Sequence, residues 1–196
     1  MKKLNAVHGA FIFLTILLPA LVSQNVCAQM DSTQRPQPNR CNLAVGAGQF
    51  GDDWGISAEL TTPTFWNKAL ALRFKGSTYW LECYKARQDH WAPYRMVSVS
   101  LVYKFRITAD AGTYVAYVEA GPFTILPDER YSTQKHVEGF SAAVGAELFF
   151  RQCPRVPVCY FLALGASACK ASADTLDGEP RYGEGLTFVN GFRFYF

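Results

Sequence analysis

Nine charged residues, Glu59, Arg73, Lys75, Lys104, Arg106, Glu119, Glu147, Arg151 and Arg193, each stand on the polar side of a segment whose alternate residues are apolar or small. Carboxylates and cationic side chains gathered on one face can pair there. If that face is enclosed they must pair, because an uncompensated buried charge is strongly destabilising. Glu119 and Glu147 are the acids expected to anchor such a set, with Lys104, Arg106 or Arg73 as partners. The same groups could instead line a narrow gated passage or a proton path. The cost of unpaired buried charge favours the paired arrangement.

Two other groupings have residue types that could act chemically. Ser132, His136 and Glu138 lie close in sequence, and His90 follows Asp89. A serine with a histidine and an acid is the material of nucleophilic catalysis. Neither spacing matches a recognisable arrangement of that kind, so no residue is assigned a catalytic role and the chain is expected not to be an enzyme. The six cysteines are Cys27, Cys41, Cys83, Cys153, Cys159 and Cys169. They lack zinc-site spacing and have no clustered histidines beside them, so no metal or cofactor is expected. Cys153 and Cys159 flank a short segment containing Pro154 and Pro157 and are a candidate disulfide across a turn. Cys83 and Cys169 each open a long connection and form a second candidate pair, leaving Cys41 free.

The elements that hold these residues read as β-strands. In residues 96–107, Val97, Val99, Leu101, Tyr103, Phe105 and Ile107 share one parity, against Ser98, Ser100, Lys104 and Arg106. A dozen alternating residues exceed the ~5–6 of ordinary strands. Similar patterns fill 42–50, 54–62, 69–81, 113–125, 139–151, 158–168 and 184–196, giving eight strands. The connections 82–94, 126–138 and 169–183 are long, whereas 63–68, 108–112, 152–157 and the tight turn at 51–53 are short. An aromatic content of 15% amid Gly, Ala, Val, Ser and Thr suits strands. A net charge of +3, scattered along the chain, gives no basis for nucleic-acid binding.

The chain begins with Lys2 and Lys3, an apolar run over residues 10–22, and Val26-Cys27-Ala28. This pattern predicts a cleaved secretory leader, residues 1–28, and export into a compartment that permits disulfides. Residues 29–40 are polar, with Pro36 and Pro38, and are expected to be a flexible lead into a single domain over 41–196.

The last seven residues, Asn190, Gly191, Phe192, Arg193, Phe194, Tyr195 and Phe196, resemble the insertion signal of bacterial outer-membrane proteins. Asn190, Gly191, Phe194 and Phe196 occupy its specified positions. With eight strands and alternating short and long connections, the chain resembles the small OmpA-type and OmpX-type barrels. The resemblance implies a transmembrane up-and-down antiparallel β-barrel in a bacterial outer membrane, inserted by the barrel-assembly machinery and contacting outer-membrane lipid and lipopolysaccharide. Charges facing lipid would cost ~2–4 kcal/mol near the midplane, which places the nine charged residues in the lumen. The long outer loops carry Tyr84, Trp91, Tyr94, Tyr131 and Tyr182 beside Lys85, Arg87, Arg130, Lys135 and Arg181, and are the expected structural or ligand-binding surface. A narrow pore and a lipid A-modifying enzyme are the alternatives.

Overall fold

The computed structural model describes residues 40–85, 88–109, 112–149 and 157–196. The expected leader 1–28 and residues 29–39 lie outside the described residues. Eight strands close on themselves in sequence order: β1 Asn42–Phe50, β2 Asp53–Thr61, β3 Leu70–Lys85, β4 Gln88–Ala109, β5 Gly112–Leu126, β6 Val137–Phe149, β7 Val158–Cys169 and β8 Gly185–Tyr195. Every neighbouring pair is antiparallel, and β8 returns to β1 with Gly191 opposite Gly46. Closure gives every strand a hydrogen-bonded neighbour on each side of the barrel wall.

Alternation fixes the faces. Along β2, Asp53, Gly55, Ser57, Glu59 and Thr61 are buried, while Ile56, Ala58 and Leu60 are exposed. A slip of one residue would turn every lumen charge outward. The register holds across the barrel, as in Ala58 opposite Gly76, Gly76 opposite Val97, Val97 opposite Thr124, and Thr124 opposite Glu138. Between β4 and β5 the paired residues pass from Ser98–Phe123 to Leu101–Ala120, omitting the positions opposite Gly121 and Pro122. Proline has no N–H to give the ladder there.

The connections at one end differ from expectation. Residues 82–94 do not form a long loop. Pairing of β3 with β4 continues through Glu82–Trp91 and Tyr84–Asp89 to Lys85–Gln88, so the hairpin projects as a sheet. Alternation persists there, with Leu81, Ala92 and Tyr94 buried and Glu82 and Trp91 exposed, and this keeps the ladder regular. The tight turn between β1 and β2 has Gly51 at φ +62, a conformation that primed hairpin turns need and glycine accepts without strain.

Candidate functional site: a two-layered interior

The polar layer lies toward the end at which β1 begins and β8 finishes. Glu59 is its hub. It faces the Arg193 guanidinium at 2.8 Å, Arg73 Nε at 3.6 Å and Lys75 Nζ at 3.8 Å. Arg73 also pairs with Glu119, and Arg193 with Glu147. Lys104 Nζ lies 3.1 Å from Glu147 and donates to the Tyr195 hydroxyl at 3.1 Å, while that hydroxyl donates to the second Glu147 oxygen. Three carboxylates and four cations thus form one chain of contacts among the described residues.

Aromatic rings carry the cations. The Tyr117 ring has the Arg73 guanidinium carbon 4.7 Å from its centroid and that of Arg193 at 5.4 Å, and Phe161 lies 4.5 Å from Arg193. Planar guanidinium groups stack on such faces while spending their N–H groups in plane. These rings carry no charge, so the search for ion pairs in the sequence passes over them. Their interior parity, shared with Glu119 and Glu147, was the available signal.

The second layer is apolar and closes the other mouth. Phe50 stacks on Tyr79 at 5.1 Å, Tyr79 on Tyr94 at 5.6 Å, and Tyr94 meets Tyr182 at 4.7 Å. Met96, Phe123 and Ile125 complete it from the wall, and Ala171, Ala173 and Leu176 from the β7–β8 connection, which folds into the mouth. Tyr94 and Tyr182, expected on a binding surface, therefore point inward. Trp91 is exposed on β4, and nothing is described of the Tyr84, Lys85 and Arg87 side chains.

Asp53 fastens this lid. Its Oδ2 accepts from the Tyr94 hydroxyl at 2.6 Å and from the Gly183 N–H at 3.0 Å, joining the β1–β2 turn to the wall and to the lid. Ser167 Oγ donates to the Gly183 carbonyl at 2.6 Å. The lid is also tied to the β5–β6 connection. Thr133 donates from its N–H at 2.7 Å and from its hydroxyl to Asp174, and Ser132 Oγ donates to the Ser172 carbonyl at 2.9 Å. Those bonds hold the Asp174 carboxyl below its usual range, and the guanidinium of Arg130 pulls Asp128 down to about 2. Between the two layers a cavity of about 40 Å³, lined by Ser98, Ser100, Ser141 and Thr187, leaves room for about two or three waters.

Of the nine charged residues read from sequence, Glu59, Arg73, Lys75, Lys104, Glu119, Glu147 and Arg193 line this interior. Arg151 and the Arg106 side chain lie outside the described residues. The Ser132 hydroxyl is buried between the Ser172 carbonyl and the Gln134 N–H, and His136 is exposed. Among the described residues no three His, Cys, Asp or Glu side chains gather in a metal-binding group.

Neither expected disulfide is present. Cys159 and Cys169 are free thiols, as is Cys41. Cys159 points into the interior on the parity of Phe161 and Ala163, and Cys169 gives its thiol proton to the Tyr182 carbonyl at 3.2 Å. Cys153 and the Cys83 side chain lie outside the described residues. In the terminal segment, Asn190, Phe194 and Phe196 face outward and Gly191 inward, where its backbone lies against Val45 and Gly46 too closely for a side chain.

No protein-family model and no curated sequence matches the chain. Among solved structures it is similar to the N-terminal β-barrel domain of Pseudomonas aeruginosa OprF, at 14% identity and a TM-score of 0.51, over 81% of this chain and 98% of that one. The shared feature is the fold: both are closed barrels, and this chain builds its own from eight antiparallel strands in up-and-down order.

Proposed function

We propose that the protein is an integral outer-membrane β-barrel without enzymatic activity, closed to solutes by its two interior layers, with its lid and neighbouring connections forming the working surface. The observation that carries this reading is the inversion of the barrel. Glu59, Arg73, Lys104, Glu147 and Arg193 are buried inside, while Leu43, Val45, Ile56, Phe74, Val99, Leu101, Val144, Leu164 and Phe192 are exposed around the outside. Such a continuous apolar exterior would aggregate in water, and it suits hydrocarbon. The likeness to the OprF barrel supports the fold on which the reading rests.

In this reading residues 1–28 direct export. Asn190, Gly191, Phe194 and Phe196 form the insertion signal read by the assembly machinery, and the end bearing the lid faces outward toward lipopolysaccharide. The interior ion pairs serve as a structural plug, since Glu59, Glu119 and Glu147 each have a cationic partner. Refolding into vesicles followed by planar-bilayer recording tests the proposal. A protease-resistant, heat-modifiable form that inserts without steady conductance is expected. Failure to enter bilayers would refute the membrane reading, and a stable open channel would refute the plug.

A further inference from the structure

Over strands β2 to β5 the outer wall is hollowed into a groove of about 620 Å³. Its floor is the cross-strand pair Ala58–Gly76, where two small residues meet, and its sides are Leu60, Phe74, Val97 and Pro122. Nothing lies within 4 Å of where a Gly76 β-carbon would stand, so the hollow is open space in front of a complete wall.

The rim toward the lid is polar. Arg95 is opposite Thr78 on β3 and Leu126 on β5, one outward row beyond the Gly76–Val97 pair. Outward rows repeat every two residues, roughly 7 Å apart, within reach of an arginine side chain. Glu138 closes the far edge beyond Thr124. Both charges are exposed and neither takes part in an ion pair among the described residues.

The geometry points to a lipid site in which a fatty acyl chain of a phosphorylated glycolipid lies over Ala58 and Gly76, with its phosphate on Arg95 and a sugar hydroxyl on Glu138. The inference rests on the membrane reading above. Within it, the apolar hollow faces hydrocarbon and its rim lies at headgroup level on the side of the lid. Arginine matches phosphate in charge and bidentate geometry. The Glu138 carboxylate, two strands away on β6, accepts from hydroxyls, which suits a sugar headgroup broad enough to span from β4 to β6. In an outer membrane that lipid is lipopolysaccharide.

The test is native mass spectrometry of the refolded full chain offered purified lipid A, dephosphorylated lipid A or phosphatidylglycerol. Gly76→Leu puts a side chain over the floor, where its β-carbon meets nothing within 4 Å, Arg95→Gln removes the cation from an exposed position, and Val144→Leu alters the outer wall elsewhere. Wild type and Val144→Leu should retain lipid A about tenfold better than phosphatidylglycerol, a preference each groove variant should lose. Equal retention by Gly76→Leu, no discrimination against dephosphorylated lipid A, or equal retention of phosphatidylglycerol would each overturn the site. A variant that lacks the heat-modifiable shift is read through the other. A chain that never enters bilayers refutes the membrane reading instead, whereas one that inserts without preference refutes only the groove.

Discussion

Glu147 on β6 and Arg193 on β8 pair inside the barrel across the width of β7, with neither side chain exposed to solvent. The pair joins three strands that the backbone ladder connects only stepwise, and it links Lys104 to Glu59 through Arg193. Losing one partner leaves the other charged and buried. Glu147→Gln is therefore expected to lower folding stability in vesicles by about 3–5 kcal/mol. Denaturant midpoints read by the heat-modifiable band would measure it, and a loss below about 1 kcal/mol would mean that water already screens the pair.

The outward face sets a second expectation. Leu101 is 48% exposed amid the apolar band, whereas Gln49 lies next to the β1–β2 turn. Under the proposed membrane placement, Leu101→Arg should cost about 2–4 kcal/mol and Gln49→Arg about 0–1 kcal/mol, following the depth dependence of cations on a lipid-facing wall. Vesicle folding titrations compare the two. Similar costs would argue for a wall facing water throughout.

Asp53 predicts how the lid is held. Asp53→Ala removes the acceptor of the Tyr94 hydroxyl and the Gly183 N–H together, and should free the β7–β8 connection at a cost of about 1–3 kcal/mol. Limited proteolysis should then cut near Gly178, whose φ of +82 and exposure mark a lid turn. If cleavage is unchanged, the aromatic contacts of Tyr182 suffice to hold the lid.

Much of the barrel follows from period-two patterning, which a closed sheet with one apolar and one polar face imposes on every strand. Residues 96–107 show why: Val97 through Phe105 at odd positions are exposed, and Ser98 through Lys104 at even positions are buried. The hub role of Glu59 was not legible, because strand alternation places a residue on a face without saying which cations converge on it from β3 and β8. The lid was hidden for another reason. Its apolar residues, Ala171, Ala173, Leu176 and Tyr182, are spaced irregularly and acquire meaning only when the connection folds into the mouth. The disulfide reading assumed that Cys159 faces a turn partner, but strand parity turns it inward.

The contact between the lid and the β5–β6 connection should depend on pH. Thr133 stabilises the ionised form of Asp174 and holds its carboxyl below the ordinary range in the folded protein. A depressed folded value means stability present above the unfolded value of ~3.9 and lost as pH falls through the lower folded one. The Thr133 amide resonance should therefore keep its bonded shift down to about pH 4 and move only below it. Asp174→Asn should flatten that titration, and a midpoint above the unfolded value would contradict the geometry.

Nitroxide scanning of β4 in lipid vesicles tests the central claim most directly. Single labels at 97, 99, 101 and 103 should be reached by oxygen and shielded from a water-soluble nickel reagent, because the proposed membrane placement sets these positions against hydrocarbon. Labels at 98, 100 and 102 should be shielded from both, because they face a filled interior. Nickel access at the even positions would show a water-filled pore, and nickel access at the odd positions would show that the apolar wall does not lie in a membrane.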